Sequence, residues 1–150
     1  MSLHKIALIP ENPHDAIELT RLSLACEYLT ELAPSNTVAE ILSESVFTFR
    51  DCGQNFERIH CPSCGEDVSV EWWGNRIDED YDGSGFRLDR YETPCCKRAH
   101  TLHNLVYVWP QGFFKTGVEI ENAIGKLDKE HLQNIEAIVA VKLRVIYIHY

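Results

Sequence analysis

Two groups of cysteine and histidine residues, separated by about thirty residues, point most directly to chemistry in this sequence. Residues 61–65 read CPSCG, and residues 94–103 read PCCKRAHTLH. Two cysteines with two residues between them can bind one ion from a tight turn, and the glycine that follows permits the left-handed backbone that such turns use. Tetrahedral zinc needs four ligands, and one pair from each group supplies them. The spacing therefore predicts a zinc site.

The second group contains more candidate ligands than the site needs. Either the adjacent Cys95 and Cys96 bind together, or one of them is replaced by His100 or His103. We expect both cysteines to bind, with His100 as the substitute. The predicted ligands are therefore Cys61, Cys64, Cys95 and Cys96.

Between about residues 57 and 105 the chain resembles a zinc ribbon, in which two ligand-bearing turns hold a small antiparallel sheet around a structural ion. The usual ribbon repeats the two-residue spacing in its second turn, and the adjacent Cys95 and Cys96 depart from that pattern. The whole chain also looks similar to small, uncharacterised bacterial proteins that carry CPxCG, a later PCC and a C-terminal HY. These resemblances identify a metal-binding module and imply no activity.

The ligand types predict a structural zinc rather than a catalytic one. A catalytic site keeps one position open for water and usually includes histidine or carboxylate ligands. Four thiolates would close the site, and the sequence has no HExxH motif. The alternative is a zinc-dependent hydrolase with a mixed Cys/His site, in which Glu92 or Glu66 would serve as the base. A redox dithiol at residues 61–64 is disfavoured because no helical pattern follows it, as one would in a thioredoxin-like motif.

The first fifty residues predict a strand, a helix and a second strand. Residues 4–10 form a short apolar run typical of a strand buried on both faces. Residues 12–15 read NPHD, which suits a helix start with a capping asparagine and a proline in first position. Residues 35–45 are less regular, and residues 46–50 predict a strand. The buried stripe of the helix would be Leu22, Ala25, Leu29 and Leu32.

The end of the chain repeats this order. Residues 117–121 alternate polar and apolar side chains, as a strand with one solvated face does. Asp128 can cap a second helix, and residues 143–150 have the β-branched and aromatic composition typical of a strand. The buried stripe of this helix would be Leu132, Ile135, Ile138 and Val139.

This order, β-α-β followed by β-α-β, predicts an α+β fold. We expect a ferredoxin-like sandwich, with two helices on one face of a four-stranded antiparallel sheet. The sandwich would comprise residues 1–51 and 113–150, and residues 52–112 would be a zinc-ribbon insertion between its second and third strands. Within the insertion, the acidic run of residues 78–82 predicts a solvent-exposed loop.

The composition disfavours several classes of protein. With 150 residues, 45% of them apolar and 25% charged, the chain is typical of one globular domain rather than of a disordered or fibrous protein. Its net charge of −9 disfavours binding to phosphate backbones and to anionic membranes. We recognise no signal peptide and no apolar run of membrane-spanning length, so we place the chain in the reducing cytoplasm.

Aromatic residues are concentrated in and beside the insertion. One interpretation is a small core that joins the insertion to the sandwich, and the other is an exposed surface for a protein partner. The second interpretation, together with a closed zinc site, predicts a non-enzymatic protein that binds or regulates another protein. Nucleic-acid binding is the further alternative, and it would require the basic residues of the insertion to gather on one face. The candidate partner contacts are Trp109, Phe113, Phe114 and Trp72.

Overall fold

The computed structural model describes residues 3–34, 36–121 and 125–150. Within these ranges the chain has a mixed α/β structure with three α-helices and several antiparallel sheets. The helices are α1 (Leu19–Leu32), α2 (Val70–Asp80) and α3 (Lys129–Val139). The strands are β1 (His4–Pro10), β2 (Glu40–Arg50), β3 (Ile59–His60), β4 (Asp67–Val68), β5 (Arg90–Glu92), β6 (Ala99–Thr101), β7 (Val106–Tyr107), β8 (Gly112–Glu121) and β9 (Leu143–His149).

A four-stranded sheet organises both ends of the chain. Its strand order is β2-β8-β1-β9, and every neighbouring pair is antiparallel. α1 and α3 contact each other, and their buried stripes share one core with the sheet. The central strand β1 is buried from residue 6 to residue 10 because both of its faces are covered, which confirms the prediction for this strand. The apolar side chains fully or nearly buried in this core include Ile6, Leu8, Leu22, Leu29, Val118, Ile120, Ile135 and Val139.

The predicted start of the first helix is wrong. α1 begins at Leu19, and residues 12–15 instead contain a turn in which the Asn12 carboxamide accepts the backbone N–H of His14 at 3.0 Å. An asparagine that bonds to the backbone two residues further on favours such a turn over a helix start. The predicted cap of the last helix is confirmed, because the Asp128 carboxylate accepts the backbone N–H of His131 at 2.8 Å.

β2 and β8 are longer than the sequence pattern predicts. β2 begins at Glu40, within the segment that was expected to be irregular. Its pairing with β8 shifts in register between Ser43 and Thr48, and this interruption hides the alternation by which a strand is recognised. Beyond the shift, Arg50 pairs with Gly112, so the two ends of the intervening segment lie side by side.

The segment between β2 and β8 contains a helix that the sequence analysis did not predict. The hydroxyl of Ser69 caps α2 by accepting the backbone N–H of Trp72 at 3.3 Å. Its apolar residues Trp72, Trp73 and Ile77 are half-buried and pack against the core that contains Phe113.

The acidic run of residues 78–82 is therefore not the exposed loop that was predicted. Its first three residues end α2, and Asp80 is fully buried. The Asp80 carboxylate accepts the backbone N–H groups of Leu88 and Asp89 at 2.8 and 2.9 Å, and the Tyr91 hydroxyl at 2.7 Å. This carboxylate therefore links the end of α2 to β5.

Two further cores connect the middle of the chain to the sheet. One combines alternate residues of β1 and β9 and Phe114 of β8 with the buried Cys52, on the face opposite the helices. The other joins α2, β3 and the turn after β6 to Phe113 of β8. β8 also passes very close to β1, since a Cβ atom at Gly117 would lie 2.6 Å from the carbonyl oxygen of Leu8.

Candidate metal centre

Two turns of similar backbone geometry carry the four predicted cysteine ligands. In the first turn, residues 61–66, the backbone N–H of Gly65 donates to the Cys61 carbonyl at 2.9 Å. In the second turn, residues 93–98, the N–H of Lys97 donates to the Thr93 carbonyl, also at 2.9 Å. Gly65 and Lys97 both adopt the left-handed conformation, with φ of +76° and +63°. The two turns are therefore equivalent, position by position.

This equivalence explains the irregular spacing of the second group. Residues 61–66 read CPSCGE and residues 93–98 read TPCCKR, so Thr93 replaces the first cysteine and Cys95 replaces the serine. The second turn has the same backbone conformation as the first, but its first cysteine is at position 95 instead of position 93. Alignment of these two segments is the signal that would have shown the relation from the sequence.

Short hairpins position both turns. The first turn connects β3 to β4, and the second connects β5 to β6. Each of these strands has only two or three residues, which is too few for a hairpin to be stable by itself in water. The hairpins therefore depend on packing and on whatever joins the two turns.

The four Sγ atoms of Cys61, Cys64, Cys95 and Cys96 lie within 4.8 Å of one another. Those of Cys64 and Cys95 are 3.3 Å apart, and those of Cys61 and Cys96 are 3.7 Å apart. Four sulfurs bound tetrahedrally at about 2.3 Å from one zinc ion would be about 3.8 Å apart. The cluster could hold a metal ion, and its size and donor atoms fit a four-thiolate zinc site.

The pKa values of the Cys61 and Cys64 thiols are shifted in opposite directions. Burial opposes the ionisation of Cys61, but hydrogen bonds from the Thr93 hydroxyl and the Cys64 backbone N–H lower the pKa of its thiol to about 5. At Cys64 the backbone N–H of Glu66 favours the thiolate, but hydrogen bonding with Cys95 raises the pKa to about 12. Thiolates packed this closely repel one another, so a bound cation would allow all four to ionise together.

Thr93 belongs to this centre although the sequence analysis did not single it out. Its side chain is fully buried, and its hydroxyl oxygen lies 3.4 Å from the Cys61 sulfur and 3.6 Å from the Cys96 sulfur. A hydroxyl at this position can donate a hydrogen bond to a thiolate. Thr93 therefore occupies a ligand position in the turn and contacts the sulfurs with an oxygen atom.

Neither predicted substitute histidine belongs to the group of four cysteines. His100 Nε2 lies 2.7 Å from the hydroxyl oxygen of Ser63, so it connects β6 to the first turn. His103 is buried away from the cluster and bonds to the backbone of Glu11 and Phe113. The structure thus brings together the four cysteines that the sequence analysis placed first.

The candidate bases of the hydrolase alternative lie outside this group. The side chains of Glu66 and Glu92 are exposed. A cavity of about 630 Å³ is lined by Val108, Trp109 and Tyr147 among others, and no cysteine lines it. Neither carboxylate therefore lies among the side chains that the structure brings together as possible metal ligands.

Most of the clustered aromatic residues form a core. The indole N–H of Trp73 donates to the Tyr107 hydroxyl at 3.0 Å, and Phe113 is fully buried. Phe113 and Phe114 have 0% and 3% of their surface exposed. They are therefore core residues and not the partner contacts that the sequence analysis named. Trp72 is half-buried, whereas Trp109 is 40% exposed and has a left-handed backbone with φ of +60°.

Several basic residues of the segment between β2 and β8 have partners. Arg76 pairs with Glu79 at 3.0 Å, and Arg87 pairs with Asp89 at 2.9 Å. Arg90 donates to a backbone carbonyl at 2.8 Å. These pairings neutralise part of the positive charge that binding to a nucleic acid would need.

Comparison of the chain with protein-family models, with curated proteins and with solved structures gives no match. Among the residues that the structure describes, no helix has both the length and the apolar character needed to cross a membrane.

Proposed function

We propose that this chain is a zinc-binding protein whose ion is structural, and that the zinc-stabilised segment presents a surface to another protein. The proposal is carried by one observation, the convergence of four sulfur atoms within 4.8 Å from two equivalent turns. Thiolate sulfur is the preferred donor of structural zinc sites, and four such donors leave no position for a water molecule or a substrate. The four free thiols that the site requires suit a reducing compartment such as the cytoplasm.

The role of the ion would be to hold two small hairpins together. Each turn alone supplies two sulfurs, and an ion bound by both turns would cross-link residues 61–66 to residues 93–98. Metal binding of this kind contributes directly to the free energy of folding. This is how a zinc ribbon is stabilised, and we assign residues 52–112 to such an insertion.

We further propose that residues 1–51 and 113–150 form a ferredoxin-like sandwich. Support comes from the order β2-β8-β1-β9, from the antiparallel pairing throughout, and from the two helices that share one face. The insertion leaves this unit at Arg50 and returns at Gly112, which are paired neighbours. The sandwich would then serve as the base on which the zinc module is mounted.

The surface proposed for a partner centres on Trp109. Its indole ring is exposed beside Pro110, at the edge of the 630 Å³ cavity, and large exposed aromatic residues are frequent energetic centres of interfaces. The chain carries a net charge of −9, which would favour a partner with a basic surface. Trp72, which is half-buried, is the second candidate contact for a partner.

X-ray absorption at the zinc edge tests the metal assignment. Protein purified without added metal should contain one zinc per chain, with four sulfurs at about 2.3 Å. Cys64→Ser should lose the zinc, whereas Cys26→Ser should keep it because Cys26 lies in α1 outside the cluster. A shell with nitrogen or oxygen ligands would contradict a closed structural site, and zinc retained in full by Cys64→Ser would contradict the ligand assignment.

A further inference from the structure

The cysteine cluster has a buried side and an exposed side. The Cys61 sulfur belongs to a residue only 1% exposed, and Cys96 is half-buried in the same core. Cys64 and Cys95 are both exposed, and their sulfurs are 3.3 Å apart. The exposed pair therefore combines solvent access with the shorter of the two sulfur separations given above, and the sulfurs would have to approach by about 1.3 Å to form an S–S bond of about 2.05 Å.

This asymmetry results from the replacement of the first cysteine of the second turn by Thr93. If that turn followed the pattern of the first, its two sulfurs would come from positions 93 and 96, and position 93 is fully buried. The thiol is instead at position 95, where it is exposed and next to Cys64. A site with four ligands in regular positions would not contain this exposed pair.

We propose that Cys64 and Cys95 form an oxidation site for hydroperoxides, at which disulfide formation releases the metal. The inference rests on the proposed function, since it takes the cluster to hold zinc. It assigns to the same four cysteines a second activity, the sensing of a small oxidant by an exposed thiolate pair.

The chemistry requires one peroxide molecule per site. The thiolate of Cys64 or Cys95 attacks the peroxide, the O–O bond breaks, and the sulfur becomes a sulfenic acid while the leaving oxygen takes up a proton to form water. The second thiolate then attacks this sulfur, the S–S bond forms, and the departing hydroxide takes up a proton to form a second water. The two sulfurs together lose two electrons and hydrogen peroxide gains them. Zinc would then keep only Cys61 and Cys96 as ligands and would dissociate.

Cys64 and Cys95 are exposed and belong to two different turns. The disulfide would itself connect the two turns, so the oxidised chain would exchange a metal cross-link for a covalent one. We therefore expect oxidation to expel zinc without unfolding the hairpins.

The test treats the zinc-loaded chain with one equivalent of hydrogen peroxide. Zinc release is followed with a coloured chelator, and the disulfide is located by mass spectrometry of peptides prepared under acidic, thiol-blocking conditions. We expect one zinc released per disulfide formed, a Cys64–Cys95 bond, and recovery of zinc binding after reduction. A disulfide between Cys61 and Cys96, or zinc retained after oxidant is consumed, would overturn the inference.

The matched control is the double variant Thr93→Cys/Cys95→Ser, which restores the regular spacing and removes the exposed pair. Its zinc release should be at least tenfold slower than that of the unchanged chain, and an equal rate would contradict the proposed route. If this variant does not bind zinc, the location of the disulfide in the unchanged chain decides the question. Failure of the proposed function is recognised separately, because the unchanged chain would then hold no zinc before peroxide is added.

Discussion

Replacement of His103 by glutamine should change how the stability of the protein depends on pH. The His103 ring is buried, its Nε2 donates to the Glu11 carbonyl at 2.7 Å, and its Nδ1 accepts the backbone N–H of Phe113 at 3.0 Å. Both ring nitrogens are therefore used by the neutral form, and a proton added to Nδ1 would break the bond to β8.

The magnitude follows from the pKa of this ring. Burial, reinforced by the positive charge of Arg144, lowers the pKa of His103 from 6.5 to about 4. Below pH 6.5 the unfolded chain binds a proton that the folded chain does not, so the stabilisation is complete above about pH 6.5 and is lost as the pH falls toward 4. Between pH 7 and pH 5 this difference lowers the free energy of unfolding by about 2 kcal/mol.

The assay is urea unfolding of the unchanged chain and of His103→Gln at pH 7 and at pH 5. The glutamine amide has N–H donors and an oxygen acceptor but does not titrate. Both proteins carry the same thiols, so proton uptake by the cysteine cluster cancels in the comparison. When the pH is lowered from 7 to 5, the free energy of unfolding should decrease by about 2 kcal/mol less in the variant than in the unchanged chain. Equal decreases in the two proteins would refute the argument that His103 is held neutral.

Three further perturbations address the sheet, the insertion and the metal. Gly117→Ala should reduce the free energy of unfolding by about 1–3 kcal/mol, because its Cβ atom would lie 2.6 Å from the Leu8 carbonyl oxygen. Urea unfolding measures this loss, and an unchanged free energy of unfolding would contradict the close approach. Asp80→Asn should cost about 1–3 kcal/mol by the same measurement, since an amide N–H₂ cannot accept the hydrogen bonds that the buried carboxylate accepts. The exposed Asp78→Asn is its control, and similar losses in both would indicate a general charge effect. Removal of metal with a chelator should increase amide hydrogen exchange in residues 57–105 and leave α1 and α3 protected, whereas uniform exchange would show that the sheet also depends on the ion.

The sequence pattern was informative where one physical requirement dominated. The stripe of Leu22, Ala25 and Leu29 in α1 has a period that only a helix packed on one side produces, and all three residues are buried. The ligand cysteines were found because a metal constrains residue type and spacing more strongly than packing does. Both signals are local and need no knowledge of distant contacts.

The failures have a common cause in contacts with residues outside the helix or strand concerned. Asp80 lies in an acidic run typical of a solvated loop, yet the N–H groups of Leu88 and Asp89 satisfy its carboxylate in the interior. Phe113 and Phe114 could equally have faced a partner, and their burial depends on strands and helices from elsewhere in the chain. No periodicity within a short window reports such arrangements.

The pairing of Arg50 with Gly112 has a consequence for the order of folding. About sixty residues separate these two neighbours, so closure of β2 on β8 in an unfolded chain must overcome the entropy of a long loop. Compared with a loop of six residues, the additional cost is about 2 kcal/mol. A segment that has already folded behaves as a much shorter connection. An ion bound by the four cysteines would therefore also accelerate the assembly of a sheet that it does not touch.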